Sequence, residues 1–216
     1  NKQDIRQKGL FSPVQTHGAK SGRSLCMLCT PFTLSFHAAR FKNVSLPGII
    51  LPAMIRTSEN ENRIVVGISH GDINSISYEV IIKSCLDQRI IELFTPVVYG
   101  LSKVASYHRK LLNIPDFSFN IIHRADQANV KRPNLLNLHE KEIRIDLGES
   151  TPVAGEQALL SLNTAIEDLK KGLIDVLVTA PVNKQNIQSV STDPFTGHTD
   201  YLAARLGGSE PLMLMV

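Results

Sequence analysis

Between Arg63 and Thr179 the chain alternates short, continuous apolar runs with longer segments whose apolar residues recur at helical spacing. Ile64-Val65-Val66-Gly67-Ile68, Phe94 to Tyr99, Phe117 to Ile122 and Leu173 to Thr179 are too short for core helices. Their β-branched and aromatic content suits strands buried on both faces. The intervening segments read as helices: Tyr78 to Leu86, Leu101 to Leu112, and a long one opened by Thr151-Pro152. In the last, Leu159, Leu162, Ile166 and Leu169 share a face, a capping Thr precedes a proline in the first turn, and Lys170-Lys171-Gly172 closes the helix. Strand and helix in alternation, without turn signals for hairpins, predict an α/β fold: a parallel-rich sheet in an α/β/α layering. Residues 124–149, interrupted by Pro133 and several Asn, read as loops with a short hairpin, and Leu212 to Val216 reads as the start of another strand.

The first 53 residues are different in kind. They hold seven Lys/Arg against one acidic residue, whereas the rest of the chain is net acidic, so the overall formal charge of +3 comes from one segment and does not point to nucleic acid. No period of two or near four persists there. The run from Ser24 to Phe36 has some features of a signal-peptide core, but its proline and polar interruptions count against that, and it is too short to span a bilayer. This part reads as an irregular basic extension, translated upstream sequence or part of a fragment and not a domain, ahead of an α/β unit covering 54–216. Three cysteines, an odd number, argue against a disulfide framework and for a reducing compartment. Cys26 and Cys29 have metal-knuckle spacing but no second ligand pair, so the pair reads as coincidental.

In open α/β sheets ligands gather beyond the carboxyl ends of the strands. Two such ends carry polar loops. One, Ser69 to Ser77, holds His70 and Asp72; the other, Pro181 to Thr199, holds Lys184, His198 and Thr199. Gly197-His198-Thr199 reads as the opening of a helix, whose free amides attract anions, and a lysine, an imidazole and a hydroxyl nearby would suit a phosphorylated ligand. Taken singly, each is an ordinary surface or capping residue. There is no G-x-G-x-x-G or G-x-x-x-x-G-K-[ST] loop, and no spacing that argues for a Ser-His-Asp triad or paired catalytic carboxylates. The residues themselves lead as far as an α/β enzyme that binds a small anionic ligand.

Val65 to Asp72, Val178-Thr179-Ala180-Pro181-Val182-Asn183-Lys184, and Phe195-Thr196-Gly197-His198-Thr199-Asp200-Tyr201-Leu202 together resemble the 4-hydroxythreonine-4-phosphate dehydrogenase family of pyridoxal phosphate biosynthesis. The resemblance implies an isocitrate/isopropylmalate dehydrogenase-like fold, incomplete here, with 54–216 as its N-terminal part including the start of a second lobe. It implies a cytoplasmic homodimer, with no nucleic-acid or membrane partner, acting on a small phosphorylated amino acid. The reaction implied is oxidation of 4-phosphooxy-L-threonine by NAD and decarboxylation to 3-amino-2-oxopropyl phosphate, with a divalent metal (Zn, Mg or Co) as Lewis acid. His198 and Thr199 match the family's substrate-binding pair. Lys184 and Asp72 match motif positions and become candidates for catalytic proton handling.

Two departures accompany the resemblance. Ser75 and Ser77 stand where the first-loop pattern usually has glycine, which requires a rearranged loop if those positions need positive φ. The family's metal-binding histidines correspond to positions beyond Val216, so none of the seven histidines here receives that role, and the residues contacting NAD are not assigned. The alternatives are a phosphate- or acyl-transferring α/β enzyme, which would use the same anion site without NAD, and a non-catalytic binding fragment.

Overall fold

The computed structural model describes residues 26–28, 63–207, 211, 212 and 214. Among the described residues six strands form one sheet: β1 (Cys26–Leu28), β2 (Val65–Ser69), β3 (Thr95–Gly100), β4 (Asn120–Ile122), β5 (Asn134–Asn137) and β6 (Val176–Thr179). Their order across the sheet is β1-β6-β2-β3-β5-β4, and every adjacent pair is parallel. The helices are α1 (Ser77–Cys85), α2 (Gln88–Leu93), α3 (Ser102–Leu111), α4 (Pro152–Lys170), α5 (Lys184–Val190) and α6 (His198–Leu206). The parallel α/β class expected from the sequence is what the chain adopts.

The centre of the sheet is buried because its strands are apolar along most of their length. All six residues of β3 are buried. Val97 and Tyr99 pack with Leu162, Ala165 and Ile166 of α4 and with Leu177 of β6 on one face. Val98, one step along the pleat, packs with Ile81, Ile82 and Cys85 of α1 on the other. The α4 helix starts as the sequence requires: the Thr151 hydroxyl accepts the Ala154 amide, Pro152 occupies the first turn, and Gly172 beyond its end has φ +71°. The buried Tyr99 hydroxyl donates to Asp168 at 2.9 Å, which ties this helix to the sheet.

Three expectations change. Residues 124–149 hold no hairpin among the described strands; β5 lies there and pairs in parallel with β3 and β4. Its signal is hidden because Asn134, fully buried, spends its amide donors on the backbone carbonyls of Pro96, Asn129 and Arg132 while its carbonyl accepts from Asn120 and the Asn129 amide. A residue type that marks loops here fixes a strand start. The lysine-bearing loop after β6 is a short helix, α5, capped by the Asn183 side chain accepting from the Gln185 and Asn186 amides. Within the basic extension, Cys26–Leu28 joins the sheet edge beside β6, consistent with its apolar run. Cys29 and the remainder of 1–53 lie outside the described residues, as does most of the strand expected over 212–216. No helix among the described residues is long and apolar enough to cross a membrane.

Candidate anion site at the strand ends

The polar loops after β2 and β6 leave adjacent parallel strands at the same edge of the sheet, in register from Ser69 to Thr179. They are fastened together there. Ala180 donates its amide to Ser69 O at 3.1 Å and Asp72 donates to Pro181 O at 3.0 Å. The Ser77 hydroxyl donates to the same Pro181 oxygen at 2.8 Å. Gly71, with φ +72°, permits this approach, since a Cβ there would lie 2.2 Å from Pro181 O. Ser75 and Ser77 take no positive φ, and Ser77 instead opens α1. The loop therefore accommodates serine at both positions without the strain that glycine would have relieved.

Three of the four site residues named from sequence come together at the start of α6. Lys184, first residue of α5, lies against Gly197, its Nζ 3.8 Å from where a Cβ would stand. Gly197 is the helix N-cap and has no side chain to satisfy the first amides. His198 follows, edge-on to the Phe195 ring at 5.8 Å between centroids, with its Nε2 buried and without a hydrogen-bond partner. Burial, and then the Lys184 ammonium, hold this imidazole below its usual range, so it is neutral at pH 7. Thr199 is the second residue of the helix and is half-buried. A lysine, an uncapped helix start and an unpaired buried imidazole nitrogen are the groups that a receptor for a phosphate or carboxylate would use.

Asp72 is placed differently. Its amide supports the loop junction and its carboxylate accepts the Asn74 amide at 2.9 Å. Burial raises its carboxyl above the usual range. It lines an adjoining cleft of about 510 Å³ with Asn74, Glu149, Ser150 and Asn183, whose walls do not include Lys184 or His198. Asn183 borders this cleft and immediately precedes Lys184, so the two regions share one short stretch of backbone.

His70 sits beneath the first loop, fully buried, stacked on Tyr78 with centroids 5.4 Å apart and with neither ring nitrogen hydrogen-bonded. Tyr78 stacks in turn on His108 at 5.3 Å, which donates to Ile73 O. Burial lowers the His70 pKa from 6.5 to about 4. The unfolded chain therefore binds more protons between those values, and stability is fully present above about pH 6.5 and is lost as pH falls toward 4, by on the order of 3 kcal/mol. His108 and His198 are depressed in the same direction, so the difference between variants isolates His70. The urea midpoint of the complete protein should fall more steeply from pH 7 to 4.5 than that of His70→Gln; equal slopes would contradict the burial account.

The family model described as Pyridoxal phosphate biosynthetic protein PdxA matches residues 92–216, more than half of the chain. The chain belongs to this family. It is 45% identical over 157 residues to a 4-hydroxythreonine-4-phosphate dehydrogenase of Bacteroides thetaiotaomicron, which covers 72% of this chain and 43% of that protein. A namesake from Sulfurihydrogenibium sp. is 29% identical over 153 residues, 70% of this chain and 45% of that one. A crystal structure of a 4-hydroxythreonine-4-phosphate dehydrogenase from Burkholderia phymatum superposes with a TM-score of 0.63 at 25% identity, covering 68% of this chain and 45% of the other. The chain thus spans less than half the length of the relatives it matches.

Within this family frame, sequence reading alone missed the groups that organise the site: the Pro181 carbonyl, the Ser77 hydroxyl and the Asn183 cap. Only the last had a local signal, a capping residue type directly before Lys184. Backbone carbonyls carry no signal at all.

Proposed function

We propose that the protein to which this chain belongs oxidises the secondary alcohol of 4-phosphooxy-L-threonine with NAD and releases 3-amino-2-oxopropyl phosphate and carbon dioxide. Family membership supports the dehydrogenase class, and the Bacteroides relative's name supports the substrate. The observation that carries the reading for this chain is the buried, unpartnered His198 Nε2 beside Lys184 at the uncapped start of α6.

In this reading the substrate's phosphate rests on the first amides of α6 and pairs with Lys184, while neutral His198 offers Nε2 as one further hydrogen-bond partner and Thr199 a hydroxyl. Asp72, with its raised pKa, is the proton-handling candidate on the side of the adjoining cleft. The nicotinamide of NAD supplies the hydride acceptor. Among the described residues no group of three or more His, Cys, Asp or Glu could hold a metal ion, so these residues do not compose the divalent site that the resemblance implies. The reading further takes residues 54–216 as the N-terminal part of a two-lobed, cytoplasmic homodimer.

The full-length protein given 4-phosphooxy-L-threonine, NAD and a divalent metal should produce NADH, followed at its absorbance band. Turnover of that substrate without NAD would overturn the dehydrogenase reading.

A further inference from the structure

The Pro181 carbonyl is one of the junctions that place Lys184. It accepts two hydrogen bonds, from the Asp72 amide at 3.0 Å and from the Ser77 hydroxyl at 2.8 Å, which occupies both of its lone pairs. The Ser75 hydroxyl, 3.2 Å from both Asp72 O and Ser77 Oγ, can donate to either and so restrains the Ser77 rotamer. Ser77 is fully buried, and its bond to the part-buried Pro181 oxygen joins the first turn of α1 to the loop after β6. From Pro181, only Val182 and Asn183 separate this anchor from Lys184. Asn183 caps α5 with its side chain, which fixes the helix start at Lys184. The lysine stem then crosses Gly197. A short, doubly anchored path therefore runs from the first turn of α1 to the ammonium at the anion site.

We infer that Ser77 is a positioning residue for Lys184: its hydroxyl clasps the Pro181 carbonyl and so sets where the lysine meets the phosphate of the substrate. The inference rests on the reading that Lys184 binds that phosphate. Without the Ser77 donor the Pro181 oxygen keeps only the Asp72 amide, so the start of the 181–183 segment is held at this point by one hydrogen bond where it had two. Loss of the clasp leaves every charge in place and changes only the geometry in which Lys184 is presented.

A double-mutant cycle in the full-length protein separates this from a general stability role. Ser77→Ala should lower kcat/KM for 4-phosphooxy-L-threonine about fivefold to tenfold, mainly through KM, the size expected for one net hydrogen bond. Lys184→Ala should lower it further, and the double variant should match Lys184→Ala within about twofold, since the clasp then has nothing to position. Multiplicative losses would overturn the inference. Amide exchange, which needs no turnover, supplies the independent readout: Ser77→Ala should speed exchange at Asp72 and across 182–187, and Ser77→Gly should do the same if the alanine variant folds poorly. Unchanged exchange there would overturn the clasp. A wild-type protein that forms no NADH would sink the dehydrogenase reading instead, leaving exchange to decide the clasp by itself.

Discussion

His198→Ala in the complete protein is expected to lower kcat/KM for the phosphorylated substrate by roughly 10- to 150-fold, the equivalent of losing one hydrogen bond to a charged group, about 1.5–3 kcal/mol. The melting temperature should barely move. In the free protein Nε2 is buried without a partner, so the folded state already bears the cost of an unmet polar atom, and truncation relieves it. What is lost is an edge-on contact with Phe195, worth about 0.5–1.5 kcal/mol if the pair behaves as aromatic rings do. The neutral form matters as well. Because burial and then Lys184 hold the imidazole below its usual range, it is neutral at pH 7, and phosphate binding at that pH should not depend on a charge on His198. Steady-state kinetics beside a thermal melt decide the matter: near-normal kinetics with a clearly lowered melting temperature would make His198 a packing residue.

How legible the molecule is in its sequence depends on which force fixes each part. Strands β2, β3 and β6 owe their position to burial, complete along β3 and partial at some positions of β2 and β6, and continuous apolar runs announce that. Helix α4 carries its own cap, proline and terminal glycine. Elements held by specific polar contacts are silent by comparison. Strand β5 depends on the hydrogen bonds of Asn134, and α2, six residues long, begins on an Asp87 side chain that accepts the Arg89 amide, a signal too short to stand out. For the site, Gly197-His198-Thr199 could be placed at a helix start because chemistry and capping coincide in one tripeptide. That Lys184 would reach it, and Asp72 would face another cleft, depends on how two loops from neighbouring strands are fastened. The fastening runs through a main-chain oxygen, which no side-chain pattern records.

Gly155→Ala should destabilise the protein by about 1–3 kcal/mol, in spite of a helix propensity that favours alanine over glycine by about 1 kcal/mol. A Cβ at this position, in the first turn of α4, would lie 2.1 Å from Asn186 O, 2.4 Å from its carbonyl carbon and 3.0 Å from the Ile187 nitrogen. All three belong to the backbone of α5, so no side chain can swing aside and the whole short helix must retreat. Gly67→Ala offers the contrast. Its Cβ would meet Ile174 Cδ1 at 2.3 Å and Tyr99 Cε2 at 3.1 Å, so here side chains and not a helix backbone must give way. Urea unfolding should therefore show the larger loss for Gly155→Ala, and a Gly155→Ala protein as stable as its parent would refute the close helix contact. The consequence reaches function because α5 begins at Lys184. A shift of α5 large enough to admit one methyl group moves the ammonium relative to the start of α6, so the variant should lose substrate affinity along with stability. Gly67→Ala, which leaves α5 in place, should retain it.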